Sequence, residues 1–296
     1  MSKPAIGFIG LGVMGREMCA HMLDEGYALT VMANVSREAV DAAVSQGAVE
    51  VNTPKEIAEA SDIIMLCMDT SQSVEDRMYG DNGVIAGLSE GKVVIDFGTS
   101  LPSSTVKIGA DVSNSNAYYL DSPIGRTPSH ARDGLLNLMC SGDKAGFDKA
   151  ETVLKVLGEN VFYLGDLGSG HTIKLINNFF GMTLANALAE AFVMADKMNV
   201  DRQQLYDVMS AGPLHSGMMD LVKGYAVDGN PNMLAFAIKN AAKDVGYYAQ
   251  MSEDAGVSTI MSQSTLKALR MATDGGMGDK MVSEMVDFYQ DALNKD

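Results

Sequence analysis

The run GSGHTIKLINNFF, residues 168–180, sets Lys174 and Asn178 four residues apart, which on a helix places an amine and an amide on one face. Lys174 stands among Ile173, Leu175 and Ile176, where a cation is out of place. It could supply a proton and a positive neighbour to an oxygen that gains charge during a reaction. It could equally lay its stem along a core and raise its amine into water. A second candidate is DSPIGRTPSHARDG, residues 121–134, a loop-like stretch with Arg126 in its middle. A guanidinium there either forks onto an oxyanion or pairs with Asp121 or Asp133 and merely braces the loop.

Elements able to position these groups begin at the N-terminus. AIGFIGLGVMGREMCAHMLDEGY reads as an apolar strand, a GxGxxG turn of Gly10, Gly12 and Gly15, and a helix ending near Gly26. Gly10 permits the tight turn, Gly12 lets backbone approach a pyrophosphate, and Gly15 lets helix and strand pack closely. The helix start, with Val13 and Met14, offers its free N–H groups to phosphates. A second strand, ALTVMAN, follows, so the motif sits in the βαβ context that a dinucleotide needs. An NAD enzyme usually carries an acid at the end of that strand; here stand Ala33 and Asn34. Asn34, Ser36 and Arg37 could accommodate a 2′-phosphate instead, although Arg37 also reads as a solvated first-turn residue. NAD and NADP stay open, with a lean to NADP.

Strand and helix keep alternating through SDIIMLCM, SQSVEDRMY, GKVVIDFGTS and AYYLDSPIG, which predicts an α/β N-terminal domain with a doubly wound parallel sheet of the Rossmann type. Strand ends line the cofactor crevice in such sheets, making Met68 and Thr99 candidate cofactor contacts, though Met68 could equally be packing. From about residue 164 the texture becomes helical. We place a dinucleotide-binding domain at 1–164 and an all-α substrate and oligomerisation domain at 165–296. A long helix from about His171 to Met198 joins them, with Ile173, Ile176, Phe180, Leu184, Leu188, Ala191 and Met194 recurring every three or four residues. Lys174 falls just past that junction, where a cleft between lobes is the usual place for a substrate. DRQQLYDVMSA, MMDLVKGYA, LAFAIKNAAKDVGYYAQMSEDAG and MVSEMVDFYQDAL also read as helices, several with enough apolar surface to need a partner lobe or subunit.

Composition excludes several classes. The 296 residues are 47% hydrophobic, enough for two packed cores, and a net charge of −16 speaks against nucleic acid and anionic membranes. Cys19, Cys67 and Cys140 form no CxxC pair and read as free thiols in a reducing cytoplasm. The four histidines show no zinc-ligand spacing, and no metal is expected. The first apolar run is too short and too interrupted by glycine for a signal peptide or a membrane span.

Four motifs in order, GFIGLGVMGREM, DSPIGRT, GSGHTIKLINN and KNAAKD, resemble those of the β-hydroxyacid dehydrogenases, which include 3-hydroxyisobutyrate dehydrogenase and tartronate semialdehyde reductase. The resemblance spans essentially the whole chain. It implies that Lys174 is the catalytic lysine, that Asn178 holds the substrate beside it, and that Lys243 with Asp244 closes the cofactor side. Ser122, Arg126, Thr127 and Asn177 would contact the substrate, with His215 in HSGMMD a further pocket residue that reads as readily as a helix-flanking histidine. Gly10, Gly12, Val13, Met14, Gly15, Asn34, Met68, Thr99 and Lys243 would contact NAD or NADP. The family usually has Ser-Gly-Gly where this chain has Gly125-Arg126-Thr127, and Gly125-Arg126-Thr127 resembles the sulfolactaldehyde reductase branch. Asp69 and Gly98 also depart from the usual proline and serine, which touches the cofactor loops and not the Lys174–Asn178 pair. The expectation is an NAD(P)-dependent oxidoreductase moving hydride between nicotinamide and a short anionic aldehyde or β-hydroxy acid, 3-sulfolactaldehyde first. Succinic or tartronate semialdehyde, 3-hydroxyisobutyrate or an imine are the alternatives, and a non-catalytic dinucleotide reader is the rival class. A small anionic substrate is the expected partner, with the chain itself as homodimer or homotetramer.

Overall fold

The structure is a computed structural model that describes residues 3–34 and 37–293; Ser36 lies outside the described residues. The strands are β1 (Ile6–Ile9), β2 (Leu29–Met32), β3 (Val49–Val51), β4 (Ile63–Leu66), β5 (Val93–Asp96), β6 (Tyr118–Asp121), β7 (Ile124–Gly125), β8 (Leu136–Gly142) and β9 (Gly158–Tyr163). They lie in the order β3-β2-β1-β4-β5-β6-β8-β7, with β9 beside β8. The first six are parallel and reverse direction of growth between β1 and β4, the switch point at which doubly wound sheets bind ligands. Strands β1, β4 and β5 are buried along their whole length, as helices on both faces require. The expected parallel sheet is therefore present. Its far side carries an addition the sequence reading lacked: β8 runs antiparallel to β6 and β7 and parallel to β9.

The helices of this region are α1 (Val13–Asp24), α2 (Glu38–Ser45), α3 (Pro54–Ala60), α4 (Ser71–Met78), α5 (Pro102–Ser113), α6 (Pro128–Arg132) and α7 (Lys144–Leu157). The long helix follows as α8 (Ser169–Lys197), and then α9 (Arg202–Ser210), α10 (Gly217–Ala226), α11 (Ile238–Asp254), α12 (Met261–Ala272) and α13 (Met285–Ala292). Helix α12 went unread in the sequence. The chain divides into two compact units, Met1–Lys174 and Leu175–Asp296. The expected boundary at 164 lies before the long helix, and this division lies inside it, beyond a helix start that is hydrogen-bonded to β6 and β8 of the first unit.

Each unit has its own core. In the first, Phe8, Met18, Met22, Ile95 and Leu154 pack on one side of the sheet, and Ile57, Leu66, Met78 and Ile108 on the other. The second is centred on Phe192, Val193, Val222, Val245, Leu269 and Met285. One periodicity misleads in part. Of the residues read as the apolar face of the long helix, Ile173, Ile176, Phe180 and Met194 are exposed, while Leu184 and Leu188 join Met182, Ala185, Ala189, Phe192 and Val193 at the core. Among the described residues, no helix is long and apolar enough to cross a membrane.

The cysteines are free, and burial pushes the thiols of Cys19 and Cys140 up to about 12. The thiolate is the reactive species, so at pH 8 only about one in ten thousand of these groups is primed to react. An aromatic disulfide reagent should leave Cys19 and Cys140 unmodified in the native protein and titrate both after denaturation. Mass mapping of the labelled peptides checks this, and fast native labelling of either would contradict the burial.

Candidate active site

The glycine turn leaves β1 at the switch point. Gly10 has φ +97°, and a Cβ there would come within 2.4 Å of the Cys67 carbonyl oxygen, so only glycine makes the turn. A Cβ on Gly15 would stand 2.0 Å from the Gly10 carbonyl, which makes Gly15 the residue that lets α1 close onto β1. Gly12 differs, because a Cβ there would meet nothing within 4 Å. Helix α1 starts at Val13 with no side-chain cap on its N–H groups, beside this open space. An open cradle over an uncapped helix start fits a pyrophosphate. Val13 is exposed at the rim, whereas Met14 packs against the core of the first unit.

At the end of β2, exposed Asn34 accepts a hydrogen bond from the Arg77 guanidinium of α4. Arg37 is held elsewhere: it pairs with Glu50 at 2.9 Å and Asp41 at 2.8 Å. The structure thus replaces Arg37, the cation read from sequence, with Arg77 as the guanidinium at Asn34. Beyond β5, Asp96 accepts from the Gly98 N–H at 2.8 Å and the Ser100 hydroxyl at 2.9 Å, which turns the loop and leaves Thr99 partly exposed between them. Met68 packs on the apolar cluster of Ile9 and Leu66, the packing reading of that residue.

Strand β6 ends at Asp121 and runs on into the Arg126 loop. Lys174, half-buried on the second turn of α8, donates from Nζ to the Ile124 carbonyl oxygen at 2.8 Å. The amine therefore stands at the loop that sequence singled out for an anion. Arg126 itself has φ +80° and donates to the Leu135 carbonyl at 2.7 Å and to the Glu159 carboxylate. Its ion-pair partner is thus Glu159 of β9 rather than Asp121 or Asp133, because Asp121 is turned inward. Thr127 is exposed, its hydroxyl shared with Ser129 and with His130 Nδ1. The side chain of Ser122 is completely buried, so the residue expected at the substrate occupies a core position.

In the second unit a polar chain runs through the other candidates. Asn177 donates to Asn178 Oδ1 at 3.3 Å, and Asn178 Nδ2 donates to Asp244 Oδ2 at 2.6 Å. Lys243 Nζ lies 3.0 Å from Asp244 Oδ1 and 5.3 Å from the Tyr247 ring. Asp244 is buried, and these donors offset the cost of burying its polar oxygens. Asn178 on α8 is thus brought to Asp244 and Lys243 on α11. His215 is exposed and bonded to Asp220, which also receives the Tyr206 hydroxyl; it flanks α10. Among the described residues, no group of three or more His, Cys, Asp or Glu could hold a metal ion.

A sheet whose switch point carries a phosphate cradle, followed by a helical unit and an amine on the joining helix, defines an NAD(P)-dependent dehydrogenase of two units. The NAD-binding domain of 6-phosphogluconate dehydrogenase matches residues 5–165, and the NAD-binding family of NADP-dependent 3-hydroxyisobutyrate dehydrogenase matches residues 168–289. A 3-sulfolactaldehyde reductase of Escherichia coli K12 is 32% identical over 93% of this chain and 92% of its own. The chloroplastic glyoxylate/succinic semialdehyde reductase 2 of Arabidopsis thaliana is 28% identical over 99% of this chain and 81% of its own. A solved 3-hydroxyisobutyrate dehydrogenase of Salmonella typhimurium shares the fold with a TM-score of 0.83, at 24% identity, over 97% of this chain and 100% of that one. The chain belongs to the 3-hydroxyisobutyrate dehydrogenase-like family and is an NAD(P)-dependent oxidoreductase acting on CH–OH groups.

The two glycines should separate cradle from scaffold. Gly12→Ala, with free space for its methyl, should keep the melting temperature of the apoprotein and weaken dinucleotide binding by about tenfold, the order of one lost phosphate contact. Gly15→Ala should lower both. Calorimetric titration with a thermal melt measures the pair, and unchanged affinity in Gly12→Ala would remove the cradle assignment.

Proposed function

We propose that the protein reduces a short aldehyde bearing an anion at its far end, with 3-sulfolactaldehyde as the leading substrate. The observation that carries this reading is the Lys174 amine at the Ile124 carbonyl, inside the same loop that bears Arg126 and Thr127. The bound dinucleotide supplies hydride to the carbonyl carbon. Lys174 then neutralises and protonates the oxygen that takes up charge, and Asn178, oriented by Asp244, holds that oxygen through its amide. The Arg126 loop receives the distal anion. In the oxidative direction Lys174 Nζ accepts the proton it gave.

The sulfonate reading draws support from the guanidinium in the loop and from likeness to a relative named for that substrate. One observation favours a carboxylate semialdehyde instead: Arg126 is already engaged by Glu159, so the loop offers less than a full free cation. For the coenzyme, the lean to NADP now rests on Arg77 at Asn34, since Arg37 carries two carboxylates that would repel a 2′-phosphate. The exposed line of Ile173, Ile176, Phe180 and Met194 on α8, with Met198 just past its end, supports a second copy of this chain as its cover.

Lys174→Met should lower kcat by about 10²–10⁴-fold, the usual contribution of a positioned acid, with coenzyme affinity retained. Steady-state kinetics with 3-sulfolactaldehyde and succinic semialdehyde, each with NADH and NADPH, should show a sulfonate preference that falls about tenfold in Arg126→Gly. An equal loss for both aldehydes would leave Arg126 as loop structure. Light scattering on the unaltered protein tests the oligomer, and a monomer at micromolar concentration would remove it.

A further inference from the structure

Asp96 and Asp121 end neighbouring strands in register, and both side chains are completely buried. Two adjacent buried carboxylates are costly unless their oxygens are hydrogen-bonded. Asp96 has Gly98 and Ser100 as donors. Asp121 accepts from the Ser141 hydroxyl and the Gly168 N–H on one oxygen, and from the His171 N–H at 2.7 Å on the other. Ser141 in turn accepts from the Gly170 N–H at 2.9 Å. The start of α8 is thus bonded to the ends of β6 and β8 through the N–H groups of Gly168, Gly170 and His171. A Cβ on Gly170 would come within 2.2 Å of the Met139 carbonyl, so glycine is what lets the helix come this close.

The His171 ring is also completely buried, and it stands between the two carboxylates. Nε2 is 3.7 Å from Asp96 Oδ2, and Nδ1 is 3.8 Å from Asp121 Oδ2. Its hydrogen bond goes to α5, where Thr105 Oγ1 lies 2.7 Å from Nδ1 and donates its own proton to the Leu101 carbonyl at 3.1 Å. The short contact with the Thr105 hydroxyl ties the ring to α5 and sets its plane. Among the described residues Nε2 has no hydrogen-bond partner, which leaves Thr105 as the anchor that a substitution can remove. The backbone bonds to Asp121 and Ser141 set the height of the helix start. The ring, off the axis, sets its rotation, and Lys174, three residues on, lies on the same face.

We propose that His171, anchored by Thr105 between Asp96 and Asp121, is a positioning residue that fixes the rotation of α8 so that the Lys174 amine arrives at the Ile124 carbonyl. The inference rests on the catalytic reading of Lys174. A small misplacement of a reacting group costs turnover far more than binding, because the group acts only in the transition state.

The test compares Thr105→Val, which keeps the shape and loses the hydroxyl, with Thr105→Ser, which keeps it. Thr105→Val should lose about tenfold in kcat, with KM for aldehyde and coenzyme within about twofold of the parent, and Thr105→Ser should match the parent. Equal kcat in the two variants, or a loss confined to KM, overturns the proposal. If Thr105→Val does not fold, His171→Leu against His171→Gln makes the same comparison, Gln retaining a donor toward Thr105; equal kcat again overturns it. Lys174→Met is measured alongside. If it is as active as the parent, the catalytic reading fails and takes the positioning role with it. If it is inactive while Thr105→Val keeps full kcat, only the positioning role fails.

Discussion

The carboxylate of Asp121 joins the sheet, the long helix and the candidate site in one set of hydrogen bonds. It is buried at the end of β6, accepts two N–H groups at the start of α8, and is itself held by Ser141. Helix starts carry unpaired donors, and this carboxylate takes two of them and so completes the helix. Three residues further along the chain, Ile124 offers its carbonyl to Lys174. Both the backbone of the lysine's helix and the tip of its side chain are thus referred to the same short run, residues 121–124. Chemistry that needs an amine set to within a fraction of an ångström gains from such double reference, because errors in the two attachments are shared rather than added.

The second unit solves the analogous problem for an amide. Asn178 is nearly buried, and a side-chain amide has two ends that can be confused by rotation. Asp244 accepts only, so it selects the Nδ2 end, and Asn177 donates to the Oδ1 end. The charge of Asp244 is balanced by Lys243. A buried acid is therefore spent on orientation, at the cost of requiring a lysine beside it. The pairing explains why KNAAKD carries both charges next to each other near the start of α11.

The sequence showed the sheet, the glycine turn and the helical second unit because each leaves a periodic or local signature: buried strands of four apolar residues, a GxGxxG spacing, and apolar residues every three or four positions. What it hid was pairing across distance. Glu159 and Arg126 are far apart in the chain, as are Thr105 and His171, and no local pattern links them. Strands β8 and β9 escaped for a related reason, since LNLMCSG and GENVFY mix polar and apolar residues without a clean alternation. The long helix misled in the other direction. Its strongest apolar period lies on exposed Ile176 and Phe180, while the buried side uses alanines that a periodicity count weighs lightly. Inward-facing Ser122 and Asp121 could not be told from outward-facing neighbours in a loop sequence.

Arg126 joins backbone strain to charge. Its φ of +80° is a conformation that costs a side-chain-bearing residue roughly 1–2 kcal/mol and glycine nothing. The ion pair it forms with Glu159 has side-chain exposures of 29% and 52%, and such pairs contribute at most about 1 kcal/mol. The guanidinium also donates to the Leu135 carbonyl, and the two contacts together are of the same order as the strain. A side-chain-bearing residue held in this conformation is the kind of outlier from which a functional role is inferred. Glu159 is the partner that holds this guanidinium in place, so the cation of the loop is already partly answered by a carboxylate of β9.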